Sequence, residues 1–117
     1  MYERHILGKN GEKAAAEHLK NLGYNIIERN FSCRQGEIDI IALDKGYLVF
    51  IEIKSRTSNE FGLPSESVTK RKMEHLIKAI KYYLYIRNLE NENIRIDVIE
   101  VYAKKGEYRF NHIKQVV

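Results

Sequence analysis

Asp39, Glu52 and Lys54 are ionisable residues set inside otherwise apolar sequence, within the stretch GEIDIIALDKGYLVFIEIKSR from Gly36 to Arg56. Apolar and β-branched residues run on both sides of Asp44-Lys45-Gly46, which reads as two strands joined by a tight turn. With Lys45-Gly46 as a two-residue turn, Asp44 pairs with Tyr47, and counting back places Asp39 opposite Glu52. Directly opposed side chains have Cβ atoms roughly 4.5–5.5 Å apart, so two carboxylates would share one small volume. They repel unless a cation lies between them. Lys54, two residues beyond Glu52, points to the same face. Hard oxygen ligands favour Mg²⁺ or Mn²⁺, which keeps several waters and leaves room for phosphate oxygens. The main-chain carbonyl of Ile53 would join Asp39 and Glu52 as a ligand. The chemistry expected is metal-dependent phosphodiester hydrolysis, with Lys54 orienting the attacking water or offsetting charge on the phosphate.

The strands that carry these residues read as central ones. Ile38, Ile40 and Ala42 with Val49, Ile51 and Ile53 line one face; Ile41, Leu43, Leu48 and Phe50 line the other. Strands apolar on both faces are buried on both. Glu37, Asp39, Glu52 and Lys54 interrupt the second face at the end away from the turn. The competing reading is an ordinary Glu52–Lys54 ion pair on an edge strand, of a kind worth little energy.

Gly36-Glu37-Ile38-Asp39 followed by Phe50-Ile51-Glu52-Ile53-Lys54-Ser55-Arg56 resembles the YraN family of small bacterial proteins. Asp39 with Glu52-Ile53-Lys54 is similar to the active-site signature of the PD-(D/E)XK nuclease superfamily, except that Ile38 stands where the superfamily's name has proline. The resemblance extends from Gly11-Glu12 through Arg29-Asn30 to the helix of residues 68–83. It implies a three-layer restriction-endonuclease-like fold related to Holliday-junction resolvases, and such relatives suggest a homodimer.

Five further residues, Glu12, Asn30, Arg56, Lys70 and Lys72, join the candidate site. Residues 10–22 read as a helix, with Asn10 as N-cap and Gly23 ending it. Ala15, Ala16, Leu19 and Leu22 form its packing stripe, and Glu12 falls on that stripe, aimed at the sheet. Complementing the helix dipole is the alternative role for Glu12; the family's helix glutamate matches it, which makes it a third acidic member. Arg56 leans to the Lys54 face and presents a guanidinium suited to phosphate. The longest helix, residues 68–87, carries the stripe Met73, Leu76, Ile77, Ile80, Tyr83 and Leu84. It begins beside the charged end of the sheet, so Lys70 or Lys72 would reach a phosphate, and the resembled family has a lysine at the position of Lys72. Its other basic residues read as a solvated face, and Tyr82, Tyr83 and Tyr85 read as core rather than as a base-stacking platform.

A first strand spans residues 24–31, ended by Arg29 and Asn30, and residues 32–35 form a polar turn. Asn30 is a phosphate-contact candidate; Arg34 and Gln35 read as turn residues. The stretch 57–67 with Pro64 is the one long loop, and residues 94–103 and 108–113 are final strands around Lys104-Lys105-Gly106. Asp97 is expected to pair with Arg95 or a nearby lysine.

A chain of 117 residues with 44% hydrophobic content fits one domain over residues 1–117. The formal charge of +4 suits a polyanionic partner. One cysteine excludes an internal disulfide and fits a reducing compartment; the four histidines lack zinc-site spacing. No apolar run approaches the ~20 residues of a membrane span, and a cytoplasmic protein is expected. The expectation is an α/β three-layer fold with a mixed central sheet, ordered α-β-β-β-α-β(-β). Its function would be that of a Mg²⁺- or Mn²⁺-dependent, structure-specific endonuclease acting on nucleic acid, DNA ahead of RNA. The alternatives are an inactive nucleic-acid-binding module on the same fold and a protein-docking subunit.

Overall fold

The computed structural model describes residues 2–57 and 70–117. Its elements are α1 (Tyr2–Asn21), β1 (Asn25–Cys33), β2 (Gly36–Asp44), β3 (Tyr47–Thr57), α2 (Lys70–Ile86), β4 (Ile94–Lys104) and β5 (Glu107–Ile113). The five strands form one sheet in sequence order. β3 and β4 are parallel and the other neighbours antiparallel, because α2 carries the chain back across the sheet between them whereas tight turns join the rest. Both hairpin turns on either side of that crossover are Lys-Gly. Lys45 and Gly46 have φ of 48° and 86°, and Lys105 and Gly106 have 49° and 77°. Two consecutive positive φ angles match the right-handed twist of the flanking strands, and glycine adopts its share without cost.

One helix covers each face. Ala15, Ala16 and Leu19 of α1 pack on Ile40, Ala42, Val49, Ile51, Ile99 and Val101. Leu76, Ala79, Ile80 and Tyr83 of α2 pack on Ile38, Ile41, Leu48, Phe50 and Ile96. This is the expected three-layer order, and the β2–β3 register of Asp44↔Tyr47 through Ile40↔Ile51 is the one counted from the turn. No described helix is long and apolar enough to cross a membrane.

Several expected details change. Asn10 does not cap α1, which begins at Tyr2. The Asn10-Gly11 pair lies inside the helix because Gly11 is a close-approach residue: it is buried, and a Cβ there would lie 2.6 Å from Ser55 Oγ on β3. Leu22 leaves the packing stripe and is 57% exposed, since the chain turns away at Gly23 with a φ of 94°. β1 continues through Arg29 and Asn30 to Cys33, so the polar turn shortens to Arg34-Gln35. Thr57 ends β3 rather than opening a loop; the rest of the expected 57–67 loop, with Pro64, and the start of the expected 68–87 helix lie outside the described residues.

Ile38 packs with α2 and not beside Ile40. The β1–β2 ladder passes from Arg29↔Ile40 to Phe31↔Ile38, skipping Asn30 and Asp39. Asn30 has a left-handed φ of 55°, and this interruption of the pleat lets residues two apart on β2 face opposite helices.

Candidate active site

The pleat is broken at Asp39, and β2 and β3 also separate there. Their pairing runs to Ile40↔Ile51 and stops. In place of another strand bond, the Ile53 N–H donates to Asp39 Oδ2 at 2.8 Å. A residue's N–H and C=O leave a strand from the same edge, so the Ile53 carbonyl projects on the Asp39 side as well. Asp39 and Glu52 face each other across this fork and line one cleft, where the charge of Asp39 acts on Glu52.

Neither acid is at ease as an anion. Burial raises Asp39 to about 6, helped by the charges of Glu12 and Glu37 and opposed by the Ile53 hydrogen bond and by Lys72. Burial raises Glu52 to about 8, with the Asp39 charge next and Lys72 opposing. Desolvation disfavours the charged form, and a second carboxylate adds to the effect. At neutral pH the pair therefore tends to hold a proton between them, a place that a cation would take.

The fork opens into a cleft of about 290 Å³ walled by Gly36, Glu37, Lys72, His75 and Leu76. Lys72 Nζ lies 4.0 Å from Glu52 Oε1, whose side chain is 16% exposed. Lys72, expected to reach a phosphate, thus stands beside the acids. Lys70 is exposed at the start of α2. His75 and Glu37 were absent from the expected site. The signal for His75 is its position three residues after Lys72, one turn along the same helical face; that for Glu37 is its place among the charges that interrupt the strand face.

Glu12 does reach the neighbourhood of Asp39, since its charge acts there. Its Oε1 is buried without a hydrogen bond, and Arg29 Nη2 lies 3.5 Å away as an ion pair lacking hydrogen-bond geometry. A buried carboxylate oxygen left this way is an unmet acceptor. Lys54 is half-buried on β3, aligned with Glu100 of β4. Arg56 donates from Nε to Glu100 Oε2 at 3.1 Å. Glu100 is fully buried and also accepts from Asn111 Nδ2 and the Tyr102 hydroxyl. The guanidinium expected to hold phosphate thus has a structural acid as one partner. Asn30 is exposed on β1 and does not line the cleft.

The donor set suits a hard divalent cation. Among the described residues no three His, Cys, Asp or Glu side chains converge to hold a metal by themselves. Asp39, Glu52 and the Ile53 carbonyl would supply part of a coordination shell, the rest falling to water and phosphate, as Mg²⁺ prefers.

Residues 11–101, which enclose every member of this cleft, match the uncharacterised protein family UPF0102. The chain belongs to this family. A UPF0102 protein of Clostridium perfringens is 49% identical over 110 residues, covering 92% of this chain and 90% of its own. One from Caldanaerobacter subterraneus is 44% identical over 110 residues, again 92% of this chain and 90% of its own. One from Dehalococcoides mccartyi is 43% identical over 116 residues, 99% of this chain and 96% of its own. The YraN-type resemblance carried by residues 36–56 is thereby established at the level of the family, and UPF0102 itself carries no assigned activity in its description.

Proposed function

We propose that this UPF0102 protein is a metal-dependent nuclease of the PD-(D/E)XK type, hydrolysing phosphodiester bonds in nucleic acid, DNA before RNA. The observation that carries the reading is the Asp39–Glu52 pair, two partly buried carboxylates set against each other at the fork of β2 and β3. Structural acids in a core normally sit opposite cations, and strongly perturbed carboxyls in a cleft mark functional sites. A bound Mg²⁺ or Mn²⁺ would supply a water of lowered pKa and positive charge beside the scissile phosphate.

Asp39 is oriented for that role by the Ile53 N–H, which fixes one oxygen and leaves the other for a ligand. Glu52 provides the second ligand oxygen, with the Ile53 carbonyl between them. Lys54, on the Glu52 face of β3, positions the attacking water or neutralises the phosphate. Lys72, at the cleft wall, holds the phosphate on the nucleic-acid side. Glu12 supports the site from α1 through its unmet oxygen.

Mn²⁺ titration calorimetry on the wild type and on Asp39→Asn tests the metal site without a choice of substrate. Binding by the wild type that vanishes in the variant is expected. No binding by either, with an oligonucleotide present to complete the coordination, would replace the enzyme by a non-cleaving binding module. Metal-dependent cleavage must further be lost in Lys54→Ala while DNA affinity persists; equal cleavage by both proteins would mean a contaminating nuclease.

A further inference from the structure

The cleft does not end at His75. Lys72, His75, Ala79, Tyr82 and Ile86 follow one another at steps of three and four on α2, so they form one flank of the helix. The first two line the acidic cleft. The last two line a second, open groove of about 400 Å³, completed by Phe31, Cys33 and Arg34 of the β1–β2 hairpin. Cys33 Sγ donates to the Gly36 carbonyl at 3.4 Å, and Gly36 belongs to the cleft wall. Cleft and groove thus adjoin each other where the hairpin meets α2.

The groove has an aromatic lining that the core uses only in part: Phe31 packs against the α2-side core, with the Arg87 guanidinium 5.8 Å from its ring centroid, and Tyr82 stays open. Tyr83 is buried, with Phe31 set edge-on to it at 5.0 Å between ring centroids. Tyr82 is 41% exposed, its ring 6.4 Å from Phe31 and tilted by 35°. The expectation that all three tyrosines of this run are core therefore holds for Tyr83 and fails for Tyr82 and Tyr85. Along α2 the charge is mostly positive, and Glu28 beside Tyr83 is paired with Arg87. α2 carries five Lys or Arg and a single Glu in its 17 residues, and Arg34 is exposed at the hairpin tip.

An aromatic lining calls for a flat apolar partner, and the cations along α2 call for a repeating anion. A nucleic-acid strand presents both, alternating bases with phosphates, but offers its base faces only where it is unpaired. From Lys72 to Tyr82 is ten residues, ~15 Å of helix, or roughly four nucleotides at the ~3.4 Å spacing of a stacked strand. We infer that the Phe31–Tyr82 groove is a stacking subsite for an unpaired nucleobase a few nucleotides from the acidic cleft, so that the substrates are single-stranded, looped or branched rather than continuous duplex. The inference rests on the nucleic-acid half of the proposed function and is independent of the metal.

The test is binding in EDTA, where cleavage is excluded, using a 12-nucleotide single strand bearing 2-aminopurine and its full duplex. Both are run as DNA and as RNA, and the tighter strand names the source of the base. Tyr82→Ala should weaken single-strand binding roughly 5- to 150-fold, abolish the quenching of 2-aminopurine on binding, and leave duplex affinity within about twofold. Tyr82→Phe should restore both, and Tyr85→Ala, on the outer side of α2, should change neither. A Tyr82→Ala loss below about twofold, or an equal loss for strand and duplex, overturns the inference, as does a wild type that ignores the single strand at low salt. Tyr82-dependent stacking in a protein that binds no Mn²⁺ supports it while removing the nuclease reading, so the two failures are separable.

Discussion

Two groups of acids in this sheet, around Asp97 and around Asp39–Glu52, are treated in opposite ways. On the α1 face, Asp97 is fully buried and saturated. Arg95 donates to it from Nε and Nη2 at 3.0 and 3.1 Å, the Gln115 N–H donates at 3.1 Å, and His112 Nε2 lies 2.7 Å away. The same Arg95 Nη2 reaches Asp44 at 3.1 Å and the Tyr24 hydroxyl at 2.7 Å. Burial alone would raise Asp97, but these partners hold it below the ordinary carboxylate range. On the α2 face, Asp39 and Glu52 have each other, one main-chain N–H and a lysine at 4.0 Å, and both are pushed up. A buried acid with a full set of donors is architecture. A partly buried acid whose nearest neighbour is another acid keeps an unmet charge, and the proposed metal site rests on that.

The largest effect that separates the two should come from Asp97→Ala. It strands a buried guanidinium and should cost ~3–5 kcal/mol in urea unfolding. Lys54→Ala should leave unfolding nearly unchanged and reduce metal-dependent cleavage about 100-fold or more. Glu52→Gln should go further and reverse the sign on stability. It removes an acid that dislikes its site, so the metal-free variant should gain on the order of 2 kcal/mol at pH 8 while losing Mn²⁺ binding. A gain at Asp97 or a loss at Glu52 would erase the distinction.

The pH dependences should also run in opposite directions. Asp39 and Glu52 have raised folded-state values, so the stability they contribute is complete below the ordinary carboxylate range and is lost as pH rises through about 6 and about 8. Asp97 has a lowered value, so its contribution is present above the ordinary range and is lost as pH falls through the folded value. The metal-free wild type should therefore melt several degrees lower at pH 9 than at pH 5, a slope flattened in Glu52→Gln and cancelled by saturating Mn²⁺ in the wild type. The smallest effect is reserved for Tyr85, 67% exposed: Tyr85→Ser should shift stability by less than ~0.5 kcal/mol.

The acidic fork was largely legible because its geometry is local. A Lys-Gly turn fixes the register, and counting from it brings Asp39 to Glu52. The interruption of the pleat was not legible, since it depends on a left-handed Asn30 in the neighbouring strand, and residue type alone does not impose that angle. The Arg95 cluster was visible only as a pair. Its members come from Tyr24, Asp44, Asp97 and His112, on four separate segments that only the completed sheet assembles. For the same reason Glu12 could be aimed at the sheet by helical spacing, while its partner Arg29 could not be named. The start of α1 was not legible, because an Asn-Gly pair reads as an N-cap whereas here Gly11 lies inside the helix to admit Ser55.

The parallel pairing of β3 with β4 has a consequence for the order of assembly. The β1–β2–β3 meander and the β4–β5 hairpin close through short turns, whereas β3 meets β4 only after the whole crossover through α2 has been brought round. Loop closure over that distance carries the larger entropic cost, so the seam between β3 and β4 is expected to form last. Lys72 and His75 travel with the crossover. The cleft is consequently among the last features of the molecule to exist, and a nascent or partly unfolded chain has the acids of the fork without the helix that makes them a site.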